Sequence, residues 1–382
     1  MLRLGFWLLL VSVPLSSAFT PPAILATTVA SSTASGAETG TVQQLDVPVN
    51  QVVTRVAVAG ATGRVGRLVV EELLSRGVQE VVALVRDVEA AEEILGGTDA
   101  PANLQITQCN LSSKGQISSV LNDVDAMIWC ATGFSQKPNA GPLEKAKGLL
   151  DLAMKKTIDV TALPVIGNVI KENNLGGKNP QQLPKVVMCS SAGVTRTIWD
   201  DEKKALMPGA ADIPIVRLNP FGALDIKRSS EDKLRETGVD YTVVRPCGLN
   251  DEHPVGSRPL LSQGDVAVGR INRKDVARVL VDCLTLPEAT GKTFEVIGVA
   301  GYPFGSIRGA LSNLRSDEEG LPPLDAIVST YTTLQQLLPG EKQDSAALAM
   351  GQTYEQLDKD EVGRLGERGK EILDDGAPRP SS

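Results

Sequence analysis

The sequence predicts an α/β fold: a doubly wound parallel sheet with helices on both faces, followed by a small helical C-terminal extension. Three observations predict it. Short, β-rich apolar runs alternate with helix-spaced stretches from about residue 54 to 284, the pattern of repeated strand–helix–strand units. The first run passes through three glycines directly into the first helix. The composition, 42% hydrophobic and 22% charged over 382 residues, belongs to a chain that can bury a sizeable core.

In chain order, "TRVAVAG" (54–60) is a strand ending in glycine. "GRLVVEELLSRG" (66–77) carries Leu68, Val69, Leu73 and Leu74 at helical spacing, with Gly77 as the stop. "VQEVVALVRD" (78–87) is a second buried strand and "AAEEIL" is helical. Further strands follow at "LQITQCN" (104–110), "DAMIWCATG" (125–133), "KVVMCSSAG" (185–193) and "YTVVRPCG" (241–248). "PLEKAKGLLDLAMKK" (142–156) is a helix. "INRKDVARVLVDCL" (271–284) is another, with Asn272 as N-cap, Asp275 in the capping-box position, and Arg273 and Lys274 solvated.

Two stretches break the rhythm. Residues 157–184 and 197–218 read as long irregular inserts, the kind of segment that forms lids or partner surfaces. From 301 onward the helical spacing of "LPPLDAIVSTYTTLQQLLPG" and the segment after it predicts a C-terminal extension, ending in a disordered Pro/Ser tail up to residue 382. The main domain is therefore expected over 51–300.

Composition excludes several functions. Aromatic residues make up only 3% and the net charge is −8, which argues against stacking on single strands or neutralising a phosphate backbone, so no nucleic-acid partner is expected. Five scattered cysteines and one histidine give neither a zinc pattern nor a secreted disulfide framework, so no metal is expected. No internal stretch is apolar for the roughly 18 residues of a membrane span.

Residues 1–18 have a charged start, an apolar run from Leu4 to Val13 and a small-residue cleavage site, the layout of a signal peptide. Residues 19–50 are rich in Ser, Thr and Ala and poor in acids, like a transit peptide. The two in series, joined at "SSAFTPP" with Phe19 after Ala18, resemble the bipartite presequence of complex plastids. The resemblance implies a mature protein in the plastid stroma, a reducing setting that suits unpaired cysteines.

The chemistry begins at "GATGRVG" (60–66). Gly60 permits a tight turn, Gly63 lets the backbone approach a pyrophosphate, and Gly66 lets the helix pack close to the sheet. Thr62, Arg64 and Val65 complete the loop, and the helix N-terminus faces the phosphates with free N–H groups. This is a dinucleotide site of the Rossmann kind. At the end of the second strand stand Arg86 and Asp87. An arginine there pairs with a 2′-phosphate, whereas a carboxylate holds a 2′-hydroxyl. Arg86, with Arg64 as a second cation, favours NADP, and Asp87 keeps NAD as the alternative. Asn110 and Leu111 would border the adenine, and Ala131, Thr132 and Gly133 the nicotinamide ribose. Ser190, Ser191, Pro246, Cys247 and Gly248 end the later strands.

"GATGRVGR", "LVRD", "CSSAG", "NPFGALDIKRSSEDKLRETGVDYTVVRPCGLNDE" and "INRKDVARVLVDCL" together resemble the atypical short-chain dehydrogenase/reductases, the NAD(P)H-binding group that includes NmrA-like proteins. The resemblance covers roughly 54–298 and implies a Rossmann fold with an NADP preference. Mapped onto that family's serine and Tyr-x-x-x-Lys, Ser190 or Ser191 supplies the serine and Lys227 the lysine that would hold the ribose hydroxyls. The tyrosine position is Ala223, which has no proton to give. Tyr241 heads its strand, roughly 16 Å from the far end at about 3.3 Å per residue. Tyr302, Tyr331 and Tyr354 would need the extension to fold back. His253 is a candidate acid on an exposed loop, and Cys130, Cys189 and Cys247 could cluster near the nicotinamide.

Two functions follow as expectations. One is an NADP(H)-binding protein without turnover, a nucleotide sensor or assembly scaffold that meets a thylakoid or stromal protein through its inserts and C-terminal helices. The other is an active NADPH-dependent reductase or isomerase of a plastid metabolite, with Ser191 and Lys227 catalytic and a non-standard proton donor.

Overall fold

Every strand predicted from the sequence pairs into one sheet. The computed structural model describes residues 47–96, 100–133, 157–174, 182–219 and 222–337. The strands are β1 (Arg55–Ala59), β2 (Glu80–Val85), β3 (Leu104–Gln108), β4 (Ala126–Trp129), β5 (Val186–Cys189), β6 (Tyr241–Pro246), β7 (Gly248–Leu249), β8 (Ser257–Ser262), β9 (Arg270–Ile271) and β10 (Lys292–Pro303). The helices are α1 (Val49–Val52), α2 (Gly66–Ser75), α3 (Val88–Leu95), α4 (Lys114–Val120), α5 (Ile158–Asn173), α6 (Asp201–Leu206), α7 (Pro208–Ala211), α8 (Pro214–Leu218), α9 (Ala223–Glu236), α10 (Arg273–Cys283), α11 (Arg308–Ser312) and α12 (Leu324–Leu337).

The large sheet has the order β3-β2-β1-β4-β5-β6-β10-β8, with β7 and β9 forming a separate parallel pair. All its pairings are parallel except that of β10 with β8. Because β1 pairs with β2 on one side and β4 on the other, successive strands part there, and the crevice beyond the strand C-termini opens at this switch point. Alternate residues feed opposite faces. Val56, Val58, Val81 and Ile128 pack on one face, beneath α2 and α10. Ala57, Val82, Met127 and Trp129 pack on the other, with Leu163 and Ile166 of α5.

Several expectations are corrected. Residues 157–184 are not an irregular insert: α5 fills 158–173 despite Pro164. A proline inside a helix costs a hydrogen bond and about 3 kcal/mol, offset here by burial of Ala162, Leu163, Ile166 and Ile170. Gly167 lets α5 press on α9, since a Cβ there would lie 2.6 Å from the Thr237 hydroxyl. Residues 197–218 also form short helices, α6 to α8. Asp275 does not close a capping box; its buried carboxylate accepts from the Gly256 and Ser257 N–H groups. Arg273 is buried and ion-paired to Asp251 at 2.7 Å rather than solvated. β8 and β10 were not foreseen.

The segment beyond 300 is packed onto the same body. β10 runs to Pro303, and Ile307 and Leu311 join the main core. In α12, Ile327 packs with Val194, Met207 and Val266, and Leu334 with Ala192 and Cys247. The helix expected at 142–156, the presequence before residue 47 and the segment after 337 lie outside the described residues. No described helix is long and apolar enough to cross a membrane.

Candidate functional site

The parallel strands bring Gly60, Arg86, Asn110, Ala131–Gly133, Ser190–Ser191 and Pro246–Gly248 to one edge of the sheet. At the first crossing, Gly60 has φ +74° and its α-carbon faces the Cys130–Ala131 backbone, where a Cβ would stand 2.7 Å from the Ala131 nitrogen. The Gly63 N–H donates to the Gly60 carbonyl at 2.9 Å. Thr62, Gly63 and Arg64 are exposed and Val65 is half-buried. The turn leads directly into the N-terminus of α2, the kind of helix end that favours an anion.

At the end of β2, Arg86 is exposed. Asp87 is already engaged as the N-cap of α3, its carboxylate accepting from Ala90 N–H at 3.2 Å. At the end of β3, Asn110 closes a turn: its Oδ1 accepts from Ser112 N–H at 3.0 Å and its own N–H donates to Gln116 Oε1 at 2.8 Å. Leu111 is buried beside it.

The far end of the crevice holds a cluster. Gly133 N–H donates to Asp159 Oδ2 at 2.6 Å. Asp159 is fully buried, and its Oδ1 has no well-formed hydrogen bond among the described residues. Burial pushes its carboxyl above the usual value, and the Lys227 ammonium and the Gly133 N–H pull it back without cancelling that. Lys227, half-buried on α9, also acts on Cys130 and Cys189. The Cys130 thiol is pushed up by its hydrogen bond to Cys189 and by burial. The Cys189 thiol is drawn down by that same bond and by Lys227, against burial.

Other residues at this edge have partners of their own. The Ser190 hydroxyl donates to Glu231 at 2.6 Å, and Glu231 takes two bonds from Arg245 at 3.0 and 2.6 Å. Ser191, half-buried, donates to the Ala192 carbonyl at 3.0 Å. Cys247 stands apart from the other two thiols. Its S–H donates to the Ala267 carbonyl at 3.2 Å, and burial raises it. Pro246 is buried and Gly248 donates to Gly269 at 2.9 Å.

Ala223 opens α9 behind Gly222 (φ +69°). The Asn219 side chain accepts from Leu224 N–H at 2.9 Å and donates to Asp225 at 2.7 Å, bracing that turn. Tyr241 is fixed at the opposite sheet edge, donating to Asp317 at 2.8 Å. Tyr331 does come back with α12, but its hydroxyl accepts from Gly209 N–H at 3.0 Å. Tyr302 is 63% exposed. His253 is buried, not exposed, against Gly298, and its Nε2 has no hydrogen bond among the described residues.

Sequence reasoning missed Asp159 and Glu231. The signal for Asp159 was Ile158, Ala162, Ile166 and Ile170 at four-residue spacing after Thr157, a helix start obscured by Pro164. Glu231 has a local partner in Arg235, four residues on, which reads as an ordinary helix-surface pair; the partners that bury it, Arg245 and Ser190, are 14 and 41 residues away in sequence.

A family model described as NAD(P)H-binding matches residues 60–287. An uncharacterised chloroplastic protein of Arabidopsis thaliana is 30% identical over 263 residues, covering 68% of this chain and 82% of the relative. The chloroplastic protein TIC 62 of the same plant is 27% identical over 296 residues, 72% of this chain but only 40% of TIC 62, so the chain spans less than half of that relative. Sanguinarine reductase of Eschscholzia californica is 26% identical over 251 residues, 63% of this chain and 88% of the reductase. Among solved structures, an oxidoreductase from Lactococcus lactis superposes with a TM-score of 0.47 at 18% identity, covering 68% of this chain and 96% of that one. The chain belongs to the NAD(P)H-binding family, among its atypical short-chain dehydrogenase/reductases.

Proposed function

We propose that the protein binds NADP(H) in the plastid stroma and acts as a nucleotide-sensing or assembly protein without the tyrosine-dependent proton transfer of its reductase relatives. One observation carries the reading: the glycine cradle and Lys227 are kept, while the proton-donor position holds Ala223, the braced first residue of α9. In that reading the cradle holds the pyrophosphate, and Arg86 and Arg64 meet the 2′-phosphate. Lys227 holds the ribose hydroxyls. The engagement of Asp87 as a helix cap supports NADP over NAD, since it removes the carboxylate that would hold a 2′-hydroxyl. The chloroplastic relatives support the plastid, and the presequence pattern supports the stroma. A stromal or thylakoid protein would be the partner, and residues 197–218 with α6–α8 the surface that meets it, with Ile198 just before α6 61% exposed and Leu206 at the end of α6 43% exposed.

Asp159 favours a second reading, because a buried carboxyl with a raised titration beside Lys227, its Oδ1 without a well-formed hydrogen bond among the described residues, can hold and deliver a proton. Then the chain is a reductase or isomerase in which Asp159 replaces the tyrosine, as the similarity to sanguinarine reductase would allow. Stoichiometric NADPH mixed with the protein and a panel of quinones and other carbonyl acceptors separates the two. NADPH absorbance that stays constant supports the first reading. Acceptor-dependent loss that disappears in Asp159→Asn, with NADPH affinity kept, overturns it in favour of the second.

A further inference from the structure

Two cysteines follow the neighbouring strands β4 and β5, next to the switch point of the sheet. β4 and β5 are paired in parallel with Ile128 opposite Val187 and Trp129 opposite Met188; the next residues of the two chains are Cys130 and Cys189. Both pack on the same face as Ile128 and Val187. As whole residues both are half-buried, whereas Cys109, Cys247 and Cys283 are buried. Neighbouring strands lie about 4.8 Å apart, inside the roughly 4.4–6.8 Å between α-carbons that a disulfide spans. Cys130 and Cys189 follow directly on the last paired residues of the two strands. The two thiols act on each other, Cys130 pushed up and Cys189 drawn down.

The two thiols differ in a way that orders the reaction. Cys189 has the cation of Lys227 and the Cys130 S–H to stabilise its thiolate, and Cys130 keeps its proton. Cys189 is the attacking sulfur and Cys130 the resolving one.

We propose that Cys130 and Cys189 form a dithiol–disulfide couple in the floor of the nucleotide site, closed by exchange with a disulfide oxidant such as glutathione disulfide and held open by bound NADP(H). The Cys189 thiolate attacks one glutathione sulfur and expels glutathione thiolate, giving a mixed disulfide. Cys130, losing its proton, attacks the Cys189 sulfur and expels the second glutathione. Two cysteines are oxidised, one glutathione disulfide is reduced to two thiols, and the protons pass to the departing thiolates.

The link to the nucleotide rests on the proposed function and on packing. The Cys130 carbonyl carbon and the Ala131 nitrogen lie 2.8 and 2.7 Å from where a Gly60 Cβ would be, so the phosphate turn sits on the Cys130 backbone with no slack. A shift of Cys130 on bond formation moves that turn out of the shape that would hold the pyrophosphate. NADPH and closure therefore oppose each other, and by linkage each weakens the other by the same factor.

The test equilibrates the full chain in glutathione redox buffers, with and without saturating NADPH, and follows it by intact mass and non-reducing peptide mapping. The expected result is loss of two hydrogens and one linked peptide pair, Cys130 with Cys189, with three of the five cysteines free. Cys130→Ser should stop at a glutathione adduct on Cys189, and Cys189→Ser should form no link. NADPH should lower the disulfide-to-dithiol ratio roughly five-fold or more, and oxidised protein should bind NADPH more weakly by that factor. Five free thiols under oxidising buffer, or a link between other cysteines, overturns the couple. Closure unaffected by NADPH that binds measurably overturns the coupling alone. Failure of reduced protein to bind NADPH defeats the proposed function and leaves the closure arm to be read on its own.

Discussion

A methyl group on Gly66 would lie 2.0 Å from the Gly60 carbonyl oxygen and 2.7 Å from its carbon. No real Cβ sits that close to backbone, so the start of α2 and the turn after β1 can be this close only with glycine at 66. That closeness brings the helix N–H groups up to the turn where a pyrophosphate would rest.

Gly66→Ala should therefore separate the helix from the turn. Overpacking of this kind costs about 1–3 kcal/mol of stability. The measurement is chemical denaturation together with NADPH titration. Both should worsen, and NADPH affinity should fall by more than tenfold.

Arg86→Ala should act on the nucleotide alone, since the side chain is exposed at the end of β2. A hydrogen bond to a charged group contributes about 1.5–3 kcal/mol, so NADPH affinity should drop roughly 10- to 150-fold. NADH affinity and the unfolding midpoint should stay as they are. Parallel titrations with the two nucleotides check this.

Asp159→Asn tests the buried carboxyl. Its folded-state titration lies above the unfolded value of 3.8, so the fold binds that proton more tightly than the unfolded chain does. The contribution is whole below the unfolded value and is lost as pH rises through the folded one. As pH rises above the unfolded value of 3.8 the asparagine variant should gain stability relative to the parent. Asn Oδ1 can still accept from Gly133 N–H, so the turn should survive. Denaturation midpoints across that range are the readout.

Glu231→Ala should be far more damaging. Burial pushes the Glu231 carboxyl up, but the Arg245 charge and its hydrogen bonds, with Arg235 and Ser190, outweigh this and leave it below the usual value. Breaking one partner out of a buried ion pair strands Arg245 and costs about 3–5 kcal/mol. The opposite sign to Asp159 follows. The Glu231 contribution is present above the unfolded carboxyl value and is lost as pH falls through the folded one. The parent's acid unfolding should therefore move to higher pH-sensitivity than that of the variant, which has no such carboxylate to protonate.

The nucleotide end of the site was legible because it is written locally. Three glycines at fixed spacing between an apolar run and an amphipathic one need no distant partner to be read, and the first six strands showed as β-rich runs. The rest depended on contacts remote in sequence. β10 hides because Glu295 interrupts "KTFEVIGV"; it is buried only because Ser262 and the Asp265 and Val266 N–H groups satisfy it. Arg196 is equally buried, donating to the carbonyls of Asp265, Ala210 and Ala267, so the segment after β5 reads as polar loop although it packs as core. Pro164 concealed α5 and with it Asp159. His253 and Arg273 were read as surface residues for the same reason: a polar side chain looks exposed until its surroundings are known.

The most direct test is calorimetric titration of the purified, reduced protein with NADPH and, separately, NADH. The account predicts saturable one-to-one binding of NADPH, with NADH weaker by at least about tenfold. Absence of any saturable NADPH signal at millimolar concentration, from protein that unfolds cooperatively, would contradict it.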